Sequence, residues 1–355
     1  MTKLDLRVEI VSSSIANLSS MSQKSRLDIL KVLSRYFTQV DIAIINNLSE
    51  LDALVKRRPD LVFLGMKYIY ATRDGIASKQ SKIWLSEYLD SYEIAYTGSG
   101  RSAHELELDK SLAKRRVMEA GLNTPAFIVV GQNKTFNDEQ DLLKLKFPVF
   151  IKPTDKGGGT GVDSNSLVYT VEQLGAKVKS ISAAYHTDSL VEEYLPGREF
   201  SVALLESDAA KGIMSMPLEL IAPLDKSGGR FLSSKIKRED LESFKPVAEA
   251  DIKFKVTQLA VKAFRALGGR DYGRIDIRLN AHGEANFIEA NLIPSLIKDY
   301  GNFPKACKLN MHMNYDSMIL QIVNLALSHG RQSSVQQLTN RLQLAGPKIV
   351  PEFAQ

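Results

Sequence analysis

Short apolar runs separated by helix-period segments organise the first hundred residues. LRVEIV reads as a strand, followed by a serine-rich turn at Ser12, Ser13 and Ser14. Residues 25–36 read as a helix with Leu27, Leu30, Val32 and Leu33 at core spacing. VDIAII is a second strand, residues 48–56 a second helix, and LVFLGM a continuous apolar run of the kind that buried parallel strands carry. A helix over residues 78–89 and the strand EIAYTG complete the unit. This order predicts an open parallel sheet with right-handed crossovers. Ligands of such sheets sit at the carboxyl ends of the strands, here 12–14, 66–70 and 97–100. GSG at 98–100 is too short for a dinucleotide fingerprint.

Beyond residue 100 the rhythm changes. Residues 101–125 carry a broken helical stripe of Leu106, Leu108, Leu112, Val117 and Met118, stopped by Gly121. PVFIKP is a strand ending in Lys152, and four glycines fall within residues 157–161. A glycine-rich backbone approaches phosphates closely and turns its N–H groups on them. After the strand-like SLV, VEEYLPGREF sets Glu192, Glu193 and Glu199 around a Pro-Gly turn. Backbone groups at 193–195 suit an adenine edge, and a carboxylate at Glu199 suits ribose hydroxyls. SVALL and IMSMPLEL are further strands. Residues 221–250 lack core periodicity and read as a basic lid with Lys226, Arg230, Lys235, Lys237 and Arg238. Helices follow at 249–267 and 312–328, with a short one at 334–344 in the tail.

The stretch DYGRIDIRLNAHGEANFIEANLIPS, residues 271–295, reads as a hairpin turning at NAHG. With Leu279 opposite Glu284, Arg274 faces Glu289 and Asp276 lies diagonal to Glu289. One face then carries Arg274, Asp276, Glu289 and Asn291, while Ile275, Ile277 and Ile288 point into a core. Two carboxylates and an amide oxygen suit a hard divalent cation whose shell nucleotide phosphates complete. The adjacent arginine suits developing phosphate or oxyanion charge.

Composition narrows the class. The 355 residues predict two or three domains, and 44% hydrophobic with 25% charged residues is ordinary for a globular protein with a substantial core. The net charge of +5 fits a small polyanionic ligand, and no basic block with interleaved aromatics argues for nucleic acid. Cys307, the single cysteine, excludes an internal disulfide and fits a reducing compartment. No apolar run is long enough to span a bilayer and no leader precedes the first strand, so a cytoplasmic location is expected. The five histidines are scattered without metal spacing.

In order, the glycine loop after a lysine strand, the acidic hinge, the basic lid and the acid/acid-x-Asn hairpin resemble the ATP-grasp superfamily. Within it the chain resembles the D-alanine–D-alanine ligases. The matching segments are AYTGSG with Asp109-Lys110, FPVFIKP with its loop, EEYLPGREFSVAL, GGRDYGRIDIRL and FIEANLIPS. The resemblance implies an N-terminal open parallel-sheet unit (1–100) that binds substrate, followed by a two-part α+β ATP-grasp fold. Its central part would be 101–190, its metal-bearing part 191–330, and a tail would follow at 331–355. Position by position, it implies that Lys110, Lys152 and the glycines Gly157, Gly158 and Gly159 hold phosphates. Glu192, Glu193 and Leu195 would line adenine, Glu199 ribose, and Lys235 would reach the terminal phosphates. Asp276, Glu289 and Asn291 would hold two Mg²⁺ ions, with Mn²⁺ as a substitute. Arg274 and the backbone N–H of Ser295 would stabilise the transition state. The partners implied are a small carboxylate and a small amine, joined through an acyl phosphate, and a homodimer built on the N-terminal unit; nucleic acid and membrane are not implied.

Departures cluster in the amino-acid pocket. Gly158 and Gly159 stand where these ligases carry serines, and VSSSIANLSS lacks the acid that anchors a substrate ammonium. Lys67 stands for a histidine, Ile236 near a lid tyrosine, Ser295 for a glycine and Tyr300 for a serine. Lys67 and Tyr300 are therefore the expected selectors of acid and amine. The reading is the same chemistry on a different substrate; true D-alanine–D-alanine ligation and nucleotide binding without turnover are the alternatives.

Overall fold

The computed structural model describes residues 3–73, 76–132, 145–207, 212–225, 228–233, 236, 239 and 241–329. The expected lid residues Lys226, Lys235, Lys237 and Arg238, and the tail helix at 334–344, lie outside the described residues.

The N-terminal strands form a four-stranded parallel sheet in which Leu4–Ser12 lies between Phe37–Ile44 and Leu61–Leu64, with Ala95–Tyr96 at the edge. Its helices start where side chains can cap them. Ser22 accepts from Ser25 N at the head of Gln23–Leu33, and Asn47 accepts from Glu50 N at the head of Leu48–Lys56. The first helix buries Ile29, Val32 and Leu33, whereas Leu27 is 51% exposed, which shifts the apolar stripe from the expected one. The helix expected at 78–89 is corrected. Ile76–Trp84 is a strand paired antiparallel with Tyr68–Arg73, and the helix is only Leu85–Ser91. Tyr68 makes edge contacts with Tyr70 and Trp84, both with centroids 5.4 Å apart, and the Lys82 ammonium lies 4.7 Å from the Tyr68 ring centroid. Of these, the Tyr68–Trp84 contact crosses the strand pair and supports it.

Two antiparallel sheets follow. Four strands hold the lysine strand Val149–Pro153 beside Ser189–Glu193, and five hold the hairpin Tyr272–Leu279/Ala285–Asn291 beside Glu199–Glu206. Helix Ala250–Ala266 packs Val256, Leu259, Ala260, Ala263 and Phe264 on the five-stranded sheet. The last described helix, Tyr315–Ser328, joins the two ends of the molecule. Met318, Ile319, Ile322 and Val323 share one core with Val8, Ile10 and Phe63 of the first sheet and Leu205 and Met216 of the last.

Candidate active site

Asp109 closes one helix and caps the next: its Oδ1 accepts from Ser111 N at 2.8 Å and Leu112 N at 3.2 Å. This fixes Lys110 at the first position of helix Lys110–Glu119 and aims Lys114, one turn on, into the interior. The expected stripe is corrected here, because Leu112 and Met118 are exposed while Ala113, Lys114 and Val117 are buried. Lys110 N donates to Thr154 O at 3.0 Å, which docks the helix on the end of the lysine strand. In that strand Phe150 and Lys152 share a face, and the partner strand places Leu190 opposite Lys152 and Glu192 opposite Phe150. The Glu192 carboxylate sits between two ammonium groups, Lys152 at 2.7 Å and Lys114 at 2.8 Å. All three side chains are buried. Burial opposes the Glu192 charge, but the two lysines outweigh it and hold the carboxyl below its usual value. Burial pushes Lys114 down to about 8 and also lowers Lys110. It opposes the Lys152 charge too, but Glu192 and Glu289 hold that ammonium above its usual value.

The glycine loop begins where that strand ends. Gly158, Gly159 and Gly161 have φ of 66°, 78° and 78°. Thr160 N donates to Gly157 O and Val162 N to Gly159 O, which makes two successive tight turns. Residues with a side chain are disfavoured at these φ values, so glycine at 158 and 159 sets a loop conformation that serines would strain.

Opposite this loop stands the hairpin, with a register that differs from the expected one. Leu279 pairs with Ala285, and a three-residue turn ends at Gly283 with φ of 74°. A bulge between Asp276 and Ile277 then leaves Ile288 as the extra residue. Asp276 therefore faces Glu289 directly and Arg274 faces Asn291. All four remain on one side, as expected, but Phe287 and not Ile288 fills the core beside Ile275 and Ile277. Ile288 lines the cleft instead. Arg274 grips Asp276 with two bonds, Nε to Oδ1 at 2.9 Å and Nη2 to Oδ2 at 3.0 Å, and Ser201 Oγ donates to the same Oδ1 at 3.0 Å. Burial opposes the Arg274 charge, yet Asp276 holds the guanidinium above its usual value. Lys110 Nζ lies 3.8 Å from Glu289, so the lysine and the acid meet across the cleft.

Of the residues named from the sequence, the cleft gathers Lys110, Lys152, Gly159, Glu192, Glu193, Leu195, Glu199, Asp276 and Glu289. Gly157 and Gly158 are in the same loop, and Arg274 and Asn291 on the same hairpin face, behind this lining. Ser295 is half-buried just past the hairpin. Lys67 is ion-paired to Glu107 at 2.7 Å, and Tyr300 is 43% exposed beside Lys305; neither lines the cleft. Lys235 lies outside the described residues.

Sequence reasoning missed the apolar half of the cleft. Phe150 packs edge-on against Phe231 at 5.2 Å and lies 6.5 Å from Tyr194, with Val162 and Ile288 nearby in the lining. Arg278, whose guanidinium is 5.0 Å from the Tyr194 ring centroid, donates to Glu199 Oε2 at 3.0 Å and orients that carboxylate. The alternation of RIDIRL already placed Arg278 on the face of Asp276, which was the available signal. An apolar wall next to lysines, a glycine loop and hard oxygen donors is the combination that a nucleotide and a divalent cation require.

Comparison with known proteins agrees with this geometry. Residues 117–324 match the family model for the D-ala D-ala ligase C-terminus. The D-alanine–D-alanine ligase of Hydrogenovibrio crunogenus is 26% identical over 324 residues, covering 90% of this chain and 95% of its own. That of Bordetella petrii is 31% identical over 244 residues, 68% of this chain and 71% of its own. The crystal structure of D-alanine–D-alanine ligase from Bacillus anthracis superposes with a TM-score of 0.72 at 18% identity, over 91% of this chain and 98% of that one. The chain belongs to the D-alanine–D-alanine ligase family, whose members are ATP-grasp, ADP-forming ligases.

Proposed function

We propose that this chain joins a small carboxylate to a small amine, with ATP converted to ADP and phosphate, and that its amino-acid pocket differs from that of a D-alanine–D-alanine ligase. The observation that carries the reading is the facing of Lys110, Lys152 and the glycine loop by Asp276 and Glu289 across one cleft. In this reading Lys110, Lys152 and the loop N–H groups of 157–159 hold the phosphates. The N–H groups of Glu193 and Tyr194 are taken by Ala126 O and Pro148 O, so the adenine edge is met at Leu195. Phe150 and Phe231 stack near the base, and Glu199, steered by Arg278, holds the ribose. Glu192 lies between lysines and acts on the nucleotide through Lys152.

Asp276, Glu289 and Asn291 form an all-oxygen donor set on one sheet face, and Asp276 Oδ2, with one bond from Arg274, keeps a lone pair for a cation. Mg²⁺, in one or two ions, would neutralise developing phosphate charge there. The substrate carboxylate attacks the γ-phosphoryl group, and an amine then displaces phosphate from the acyl phosphate. Arg274 and Ser295 N–H stabilise the oxyanion, and Lys235 acts from the lid. In this reading residues 1–100 would bind the acid, and Lys67 and Tyr300, both outside the cleft lining, would influence the choice of acid and amine.

Mass spectrometry after incubation with MgATP and a pooled amino-acid library tests this. Amide products with ADP release dependent on both acid and amine support it. A dipeptide formed from D-alanine alone identifies an unaltered pocket, and ATP turnover indifferent to every acid and amine refutes ligation.

A further inference from the structure

Glu107 was singled out by no motif, yet it joins three distant segments. Its carboxylate is 4% exposed and sits at the end of helix Arg101–Leu108. Lys67 Nζ, beyond the third strand of the parallel sheet, reaches Oε1 at 2.7 Å. His104 Nδ1 lies 2.9 Å from Oε2. The backbone N–H of Leu292 donates to Oε1 at 2.8 Å. Burial would raise this carboxyl, but Lys67 and His104 outweigh it and hold it at about 2, so it is ionised. Burial keeps the His104 imidazole neutral, and its bond to a carboxylate assigns the proton to Nδ1. Three donors therefore converge on one acceptor-only group.

Leu292 follows Asn291 directly. An ionised carboxylate holding the Leu292 N–H fixes the peptide plane that leaves Asn291, and so the direction of the Asn291 side chain on the face of Asp276 and Glu289. We infer that Glu107 is a positioning residue for the metal site, aligning Asn291 through the Leu292 backbone while anchored by Lys67 and His104. The inference rests on the proposed metal reading of the cleft. Glutamine matches Glu107 only in part: its NH₂ faces His104 only if the neutral ring shifts its proton to Nε2 and accepts at Nδ1, and the charge opposite Lys67 is lost.

The test uses the full chain, a non-hydrolysable ATP analogue and Mn²⁺ followed by electron paramagnetic resonance. Glu107→Gln weakens Mn²⁺ binding in the nucleotide complex about 10- to 100-fold, the usual range for a group that orients a metal ligand. Analogue binding in chelator stays near the wild-type value. Glu107→Asp, which keeps the charge but shortens the reach, gives a smaller loss and serves if the glutamine variant does not fold. Glu105→Gln, an exposed neighbour paired with Arg101, leaves Mn²⁺ binding unchanged. Wild-type Mn²⁺ affinity in both Glu107 variants, or equal losses of metal-free and metal-bound nucleotide, overturns the positioning role. Absence of nucleotide-dependent Mn²⁺ binding in the wild type instead refutes the metal reading, and the inference falls with it.

Discussion

Glu192→Gln removes a negative charge that two buried lysines share. Lys114 has no exposed side-chain surface, and Lys152 has 8%. Lys114 keeps Thr124 Oγ1 at 2.8 Å and Phe287 O at 3.3 Å, so its ammonium retains neutral acceptors. Lys152 lines the cleft with 8% of its side chain exposed. Breaking a buried pair by removing one partner costs about 3–5 kcal/mol, and these residual contacts place the loss near the lower end, about 3 kcal/mol. For a cooperative unit of about 200 residues, at about 2–4 °C per kcal/mol, that is a fall of roughly 6–12 °C in melting temperature. Differential scanning calorimetry with and without MgATP reads it out. The nucleotide phosphates give Lys152 a new anion, so MgATP restores part of the loss. A variant melting within a degree or two of the wild type would show that Glu192 is not the counter-ion of these lysines.

Three further predictions concern stability and access. The Glu107 carboxyl is held at about 2 in the fold against an ordinary 4.5. Between these values the unfolded chain binds a proton that the folded chain does not, so stability rises with pH there. The contribution, roughly 3 kcal/mol, is present above pH about 4.5 and lost as pH falls toward about 2; acid titration of wild type against Glu107→Gln measures it, and identical acid limbs refute it. Deleting Ile288 removes the bulge and makes Phe287 and Glu289 consecutive, so a regular ladder keeps Phe287 in the core and Glu289 on the cleft face; the variant stays within about 1 kcal/mol of the wild type on urea unfolding and still binds nucleotide, whereas inserting one alanine after Ile288 moves one of the two to the wrong face and costs about 2–5 kcal/mol or abolishes binding. A deletion variant that unfolds like the insertion variant contradicts the register. Burial pushes the Cys307 thiol up to about 12. It is therefore inert to a disulfide reagent at pH 8 in the folded chain and reacts fully in denaturant, and rapid reaction of the native protein excludes that burial.

Much of the site was legible in the sequence because its residues sit at fixed offsets within single strands and loops. Lys152 ends an apolar run, glycines follow it, and alternate positions of RIDIRL carry the polar face. What escaped depends on partners distant in the chain. The bulge at Ile288 has no glycine or proline to announce it. It follows from the need to bury Phe287 while presenting Glu289, with Phe287 N–H bonded to Asn123 O at 2.9 Å. Lys114, in the run KRR, reads as solvated until Glu192 arrives from the hinge strand. Residues 78–84 have no strong periodicity of their own and become a strand through pairing with the segment starting at Tyr68. Glu107 was invisible because two of its three donors, Lys67 and the Leu292 N–H, are distant in the chain.

Calorimetric titration of ATP, in Mg²⁺ and in chelator, into the wild type and an Asp276→Asn/Glu289→Gln double variant tests most directly whether the two acids share a metal–triphosphate site with the glycine loop. Magnesium should tighten ATP binding to the wild type and leave the double variant indifferent, with both proteins alike in chelator. Equal tightening by Mg²⁺ in both proteins would contradict the assignment of the metal to this cleft.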